Sequence, residues 1–303
     1  MPSGPSAISI NGLTKRYGKI TAVNRLDLEV PPGEIFGFLG LNGAGKTTTI
    51  RILLDLLRPT SGHAEVLGVD STRLSANEFA QIGYVSENQK LPEWMRVDYF
   101  LNYCRELYPA WDGALAEALI RQYRLPLDRR LRTLSRGMKV KAALTASLAY
   151  KPRLIVLDEP FSGLDVLVRE QLIESLVDCT PESTILLASH DLAEIESFAT
   201  HVGYLNEGRL EFVEEMATLT QRFREIEVTL NAPLGLPSSL PATWLNAEES
   251  GPVVRFTDTS YEPNRSREEV SRRFEGIRNV QSREMSFLAI FLALAKSRRE
   301  QCA

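Results

Sequence analysis

The segment Gly40-Leu41-Asn42-Gly43-Ala44-Gly45-Lys46-Thr47 constrains the fold of this chain more than any other. It fits a phosphate-loop pattern of Gly, four residues and Gly-Lys-[Ser/Thr]. The residue types follow from what a phosphate demands. Glycines let successive backbone N–H groups curl toward phosphate oxygens, and the helix that follows offers its positive N-terminus. Lys46 supplies a point charge to the β- and γ-phosphates, the Thr47 hydroxyl is a ligand for Mg²⁺, and Thr48 joins the nucleotide contacts in the same turn. Such a loop needs a strand before it and a helix after it. Glu34–Leu39 reads as a short apolar strand and Thr47–Leu57 as a helical run.

The surrounding pattern alternates in the same way, which predicts an α/β fold. Ala7–Ile10 and Ala22–Val30 read as strands, Pro31-Pro32-Gly33 as a turn, and Pro59–Gly62 as the close of the loop–helix unit. Ala80–Val85 reads as a further strand. From about Pro92 to Tyr150 apolar residues recur at helical spacing, over Tyr99–Leu107, Ala114–Tyr123 and Met138–Ala149. Strand patterns return at Leu154–Leu157, Thr184–Ala188 and His201–Leu205, with a helix over Val166–Asp178. Residues 231–264 are rich in Pro, Ser and Asn and poor in periodicity. Beyond them, Gly276–Glu284 reads as a strand and Ser286–Arg299 as a helix with Ser286 at its N-cap. The expected division is a working domain over 1–215 and a small α+β extension over 216–303.

A second chemical element ends the strand Leu154-Ile-Val-Leu-Asp158-Glu159. Carboxylates at the C-terminal end of a buried parallel strand face the ligand crevice. Asp158 suits a hydrated Mg²⁺, and Glu159 suits polarising a water for attack on a γ-phosphate.

Composition narrows the setting. Lys+Arg 35 against Asp+Glu 39 gives −4, so the chain lacks the basic excess of a nucleic-acid binder. The three cysteines, Cys104, Cys179 and Cys302, are odd in number and scattered, which fits a reducing cytosol. The first six residues have neither the charge nor the apolar run of a signal peptide. The longest apolar run, Phe287–Ala295, is far short of the roughly 20 residues of a spanning helix. A soluble cytosolic protein is expected, and work at a membrane would need another chain. His63 and His201 have no partners at metal-ligand spacing, and Trp94, Trp111 and Trp244 read as packing residues.

Further motifs occur in an order that resembles the ATP-binding subunits of ABC transporters, over about residues 8–215. Leu134-Ser135-Arg136-Gly137-Met138 resembles that family's LSGGQ signature, Ser162-Gly163-Leu164-Asp165 its D-loop, and His190 its switch histidine. Tyr17 resembles the aromatic that stacks on adenine, with Val23 beneath. The resemblance implies a P-loop NTPase fold with a RecA-like core, an antiparallel β subdomain and a helical signature subdomain at about 92–150. It implies ATP and Mg²⁺ as ligands, with Thr47, Glu87 and Asp158 at the metal and Glu159 and His190 in catalysis. It also implies a second ATP-binding subunit, identical or different, whose Ser135, Gly137 and Asp165 complete the site. An integral-membrane permease is the remaining partner. The subunit would then sit at the inner face of the cell membrane, with export the expected direction by analogy.

Two motifs depart from the family pattern. Arg136 and Met138 replace the usual Gly and Gln of the signature, and Glu87 stands where a glutamine is usual in the Q-loop. A glutamate can still reach Mg²⁺ or a water through oxygen, and Gln89 is an alternative for that role. A soluble ABC-type ATPase of translation or repair is the rival reading, as is a non-hydrolysing regulatory module. The single phosphate loop, the lack of sustained heptads and the joint presence of Glu159 and His190 argue against them. The permease contact is expected around Glu87–Val97, with Leu91, Trp94 and Met95 exposed.

Overall fold

Alternation over residues 8–30 builds an antiparallel ladder. In β1 (Ile8–Tyr17) and β2 (Ile20–Val30) residues such as Ile8, Ile10, Leu26, Leu28 and Val30 are buried while their polar neighbours face out. The computed structural model describes residues 6–301 other than 234 and 238; the first five residues and Cys302 lie outside them. After β3 (Ile35–Leu39) and α1 (Lys46–Leu53), β4 (Ser61–Val66) returns to pair with β1, and β5 (Val69–Asp70) completes a sheet of order β2-β1-β4-β5. The short α2 (Ala76–Phe79), opened by a Ser75/Glu78 capping box, leads to β6 (Ile82–Ser86).

A helical segment follows: α3 (Val97–Leu107), α4 (Gly113–Tyr123) and α5 (Arg136–Leu148). The chain then re-enters the core as β7 (Leu154–Asp158), α6 (Val166–Cys179), β8 (Thr184–Ser189), α7 (Leu192–Phe198), β9 (His201–Asn206) and β10 (Arg209–Glu215). The second sheet has the order β10-β9-β3-β8-β7-β6. Every residue of β7 and β8 is buried, as expected of parallel strands covered on both faces.

Register turns this sheet into a platform. Leu39 pairs with Ser189, Asp158 with Ala188, and Ser86 with Asp158, all in parallel pairs. The C-terminal ends of β3, β6, β7 and β8 are therefore level. The loops that begin at Gly40, Glu87, Glu159 and His190 leave from one edge, which is where open α/β sheets bind their ligands.

The chain divides into two compact units, 1–213 and 214–303, with the boundary inside β10. The second unit holds α8 (Met216–Arg222), β11 (Arg224–Leu230), β12 (Trp244–Ser250), β13 (Val253–Asp258), α9 (Pro263–Arg273), β14 (Ile277–Glu284) and α10 (Phe287–Gln301). Its antiparallel sheet runs β12-β13-β11-β14. Ile226, Val228, Val254 and Phe256 form its core with Val270 of α9 and Phe274 just after it. The Ser286 hydroxyl accepts from Ala289 N–H at 3.2 Å, as an N-cap to α10 should.

Some elements differ from expectation. β4 occupies part of what reads as a closing turn, since only Ala64 and Val66 of Ser-Gly-His-Ala-Glu-Val are buried. α1 stops at Leu53, just before Asp55 at φ +54°, instead of continuing to Leu57. Two strands, β12 and β13, lie inside the tract 231–264 that shows little periodicity.

We propose that residues 214–303 unfold as their own cooperative unit. Trp244 stacks on Phe256 at 4.0 Å between ring centroids and lies parallel to Phe274. Trp244→Ala should destabilise that unit by about 3–5 kcal/mol. Calorimetry of the full chain should show one transition lowered and a second unmoved, whereas a uniform shift would mean a single cooperative block.

Candidate functional site

The phosphate loop is built so that only glycine fits at its ends. A Cβ on Gly40 would lie 2.6 Å from the Leu205 carbonyl oxygen, and one on Gly45 (φ +110°) 2.4 Å from that of Ala22. The chain's own backbone thus requires these residues as firmly as a phosphate would. Gly40 N–H donates to Ser189 O at 3.2 Å and Ala44 N–H to Leu41 O at 3.0 Å, fixing the turn. Leu41, Asn42 and Gly43 are exposed at its tip, Ala44 and Gly45 are buried, and Thr47 and Thr48 are half-buried in the first turn of α1.

Three charged side chains converge behind the loop. Lys46, 5% exposed, donates to Gly40 O at 2.5 Å and lies 3.0 Å from Glu159 Oε1. Glu159 stands at φ +52°, an uncommon backbone region for a side chain of this size. Its other oxygen, Oε2, meets His190 Nδ1 at 2.7 Å and the His190 backbone N–H at 3.4 Å. Opposite a carboxylate, Nδ1 must be the donor, which leaves Nε2 as the free nitrogen of the half-exposed ring. Beside them the Thr47 hydroxyl donates to Asp158 Oδ1 at 2.9 Å. Burial raises the Asp158 carboxyl above its ordinary 3.8; the Thr47 hydrogen bond opposes this, and the neighbouring Glu159 charge adds to it.

Thr47 and Asp158 present hard oxygen donors side by side, a donor set that fits Mg²⁺. Glu87, the third expected metal residue, is engaged elsewhere. Its backbone N–H donates to Asp158 O at 2.9 Å, but its Oε1 accepts from Arg136 Nη2 at 2.6 Å and Ser162 Oγ at 3.2 Å.

The remaining expected residues lie apart from this cluster or play a second part. Tyr17 is 47% exposed at the end of β1, open to a stacking partner, with Lys15 Nζ 5.3 Å from its ring centre. Val23 is fully buried in the core, so its side chain offers no surface to a base and instead supports the strand beneath the loop. Ser135 is exposed at the N-cap of α5, where Oγ accepts from Met138 N–H, and Gly137 is half-buried. Asp165 caps α6 by accepting from Val168 N–H at 3.0 Å.

Sequence reasoning missed the network that holds His190. Ser189 Oγ donates to Glu194 Oε2 at 2.6 Å and accepts from Asp191 N–H at 2.9 Å. Arg169 pairs with Asp191 at 2.8 Å. The spacing Asp191-x-x-Glu194 was the available signal, since an acid three residues after an N-cap is a capping-box pattern. Here Glu194 turns to Ser189 instead. Burial raises its carboxyl above the ordinary 4.5, with the Ser189 hydrogen bond opposing. A raised value means the folded chain holds this proton more tightly than the unfolded one. The stability involved is present below pH 4.5 and lost as the pH rises through the raised value. Glu194→Gln keeps an acceptor for Ser189 and removes the titration. Its melting temperature, relative to the unchanged chain, should rise with pH just above 4.5; a constant difference would mean Glu194 does not titrate there.

Comparison with known proteins agrees with this geometry. The sequence profile of the ABC transporter family matches residues 23–162. The bacitracin transport ATP-binding protein BcrA of Bacillus licheniformis is 36% identical over 212 residues, covering 67% of this chain and 68% of that one. The daunorubicin/doxorubicin resistance ATP-binding protein DrrA of Streptomyces peucetius is 37% identical over 212 residues, covering 67% of this chain and 64% of its own length. A solved ATP-binding subunit of an ABC transporter superposes with a TM-score of 0.65 at 27% identity, over 71% of this chain and 92% of its own. With its phosphate loop, acidic strand end and histidine level along one sheet edge, the chain belongs to the ATP-binding subunits of ABC transporters.

Proposed function

We propose that this chain hydrolyses ATP between its own phosphate loop and the signature of a second subunit, and so drives a membrane permease in the direction of export. The observation that carries the reading is the cluster of Lys46, Asp158, Glu159 and His190 at the level ends of β3, β7 and β8. The relatives named for bacitracin transport and for drug resistance support a transporter role and an outward direction.

Each residue then has a defined task. Lys46 exchanges its contact with Glu159 for the β- and γ-phosphates, and the amides of the glycine loop hold the remaining oxygens. Thr47 and Asp158 would hold Mg²⁺, which would supply charge neutralisation to the phosphate oxygens. Freed of Lys46, Glu159 accepts a proton from the attacking water, while its contact with His190 Nδ1 fixes its direction. Tyr17 stacks on the adenine. Ser135 and Gly137 of the second subunit grip the γ-phosphate. A module that merely bound ATP would have no use for the joint placement of Glu159 and His190.

For the permease, a groove of about 350 Å³ opens between the loop after β6 and the helices α3 and α5. Leu91, Pro92, Phe100, Cys104 and Tyr150 line it. Trp94 is 64% exposed nearby, its ring 6.1 Å from that of exposed Tyr99. Met95, expected to be exposed here, is buried, and its backbone carbonyl accepts from Leu131 N–H at 2.9 Å. The groove suits an inserted partner helix with apolar side chains. Among the described residues no helix is long and apolar enough to cross a membrane, so attachment through such a partner is consistent.

Two measurements test the reading. Glu159→Gln should lower turnover by about 10²–10⁴ while leaving ATP binding intact, and should shift the protein from monomer to dimer on sizing chromatography with ATP but not ADP. Unchanged hydrolysis would remove Glu159 from the mechanism. A photo-cross-linker on Trp94→Cys should capture the co-expressed permease; capture only from positions in 216–303 would place the contact elsewhere.

A further inference from the structure

The two departures from the family pattern meet in space. Arg136 replaces a neutral glycine in the signature and Glu87 a neutral glutamine in the Q-loop, and Arg136 Nη2 lies 2.6 Å from Glu87 Oε1. The same oxygen accepts from Ser162 Oγ at 3.2 Å. Nη1 of Arg136 lies 3.4 Å from where a Cβ on Gly163 would stand, so the D-loop glycine leaves room for the guanidinium. One carboxylate oxygen thus joins the loop after β6, the loop after β7 and the start of α5.

A positive side chain in the first turn of α5 is unfavourable by itself, because the helix dipole already places positive charge there. Glu87 supplies the negative charge that offsets both. The pair is partly open to solvent, with side-chain exposures of 46% for Arg136 and 31% for Glu87, so it is screened and weak compared with a buried pair. A weak, exposed bridge contributes little to folding but can be broken readily. The carboxylate it occupies is attached, through the Glu87 backbone N–H, to the carbonyl of the metal-binding candidate Asp158.

We propose that Arg136 is a positioning residue that keeps Glu87 turned away from the magnesium site and holds the start of α5 against the loops of its own subunit, so that breaking this pair accompanies metal–nucleotide binding. The magnesium part rests on the ATPase reading above; the pairing itself does not. Removing Arg136 releases Glu87 to the metal. Removing Glu87 leaves Arg136 without effect on the metal. The two residues therefore act as one unit.

The test combines two measurements on the full-length protein. The substitutions are Arg136→Gln, Arg136→Lys, Glu87→Gln, and Arg136→Gln with Glu87→Gln; glutamine is used in place of glycine at 136 because glycine would loosen the helix by itself. Without nucleotide, hydrogen exchange in peptides spanning 86–90 and 135–140 should quicken about 1.5- to 5-fold in each Gln variant. The double variant should be no faster than either single one, Arg136→Lys should stay close to the unchanged protein, and high salt should abolish the differences. Additive effects, or no effect, would overturn the proposal. In the second measurement, a fluorescent ATP analogue is bound at increasing Mg²⁺. Half-saturating Mg²⁺ should fall about 1.5- to 5-fold in Arg136→Gln and stay unchanged when Arg136→Gln is added to Glu87→Gln. A fall in that second background would also overturn it. Failure of the unchanged protein to bind the analogue would instead refute the ATPase reading, and the exchange results would still decide whether the pair acts as a unit.

Discussion

The parallel register of β3, β7 and β8 is the constraint on which everything else in the first unit depends. Because Leu39 pairs with Ser189 and Asp158 with Ala188, the loops at Gly40, Glu159 and His190 emerge within hydrogen-bonding reach of one another. A one-residue slip would turn each side chain to the opposite face of the sheet and separate the lysine from the glutamate. Strands this apolar could slide without loss of hydrophobic contact. The close approach of Gly40 to Leu205 O and of Gly45 to Ala22 O opposes sliding, since any shift would push backbone into backbone.

Within that frame the buried charges restrain each other. Lys46 is 5% exposed, Asp158 5% and Glu159 9%. Isolated charges at such depth would be costly. Lys46 and Glu159 compensate each other, Thr47 bonds Asp158, and His190 takes the second oxygen of Glu159. A site paired in this way is stable without its ligand, and the Lys46–Glu159 contact is one that a triphosphate can replace. The left-handed backbone at Glu159 fits the same reading, because strained conformations persist where the surrounding structure over-determines them.

Much of this was legible in the sequence, and the limits are physical. The loop Gly40–Thr47, the strand ending in Asp158-Glu159, and the helices α3 to α6 show their periods or motifs directly. β4 did not, because Ser-Gly-His-Ala-Glu-Val has only two buried positions. β12 and β13 were hidden in a tract of turn-forming residues, although Arg-Glu-Ile-Glu-Val-Thr-Leu of β11 alternates strictly, with Ile226, Val228 and Leu230 inward. The burial of Val23 was hidden for another reason. A residue under a loop and a residue under a base look alike in one dimension, and only the fold tells which surface is covered. The contacts between Glu194 and Ser189, and between Glu87 and Arg136, were invisible because no local pattern links side chains on separate loops.

The first unit places its chemistry on two kinds of element, and on the function proposed above this would leave one copy an incomplete catalyst. Lys46, Asp158 and Glu159 sit at rigid strand and helix ends in the parallel core, whereas Ser135 and Gly137 open α5 in the helical segment. The hydrogen bonds that the signature makes run to Glu87, to Leu131 and within α5, and none among the described residues reaches the phosphate loop. The N-terminus of a 13-residue helix offers amides and positive potential to an anion, just as that of α1 does. On the function proposed above, a γ-phosphate held by α1 of one subunit would be gripped by α5 of a second subunit. Binding energy from the remote signature would then be available when two chains close on the nucleotide, so closure and assembly of the reactive site would be the same event.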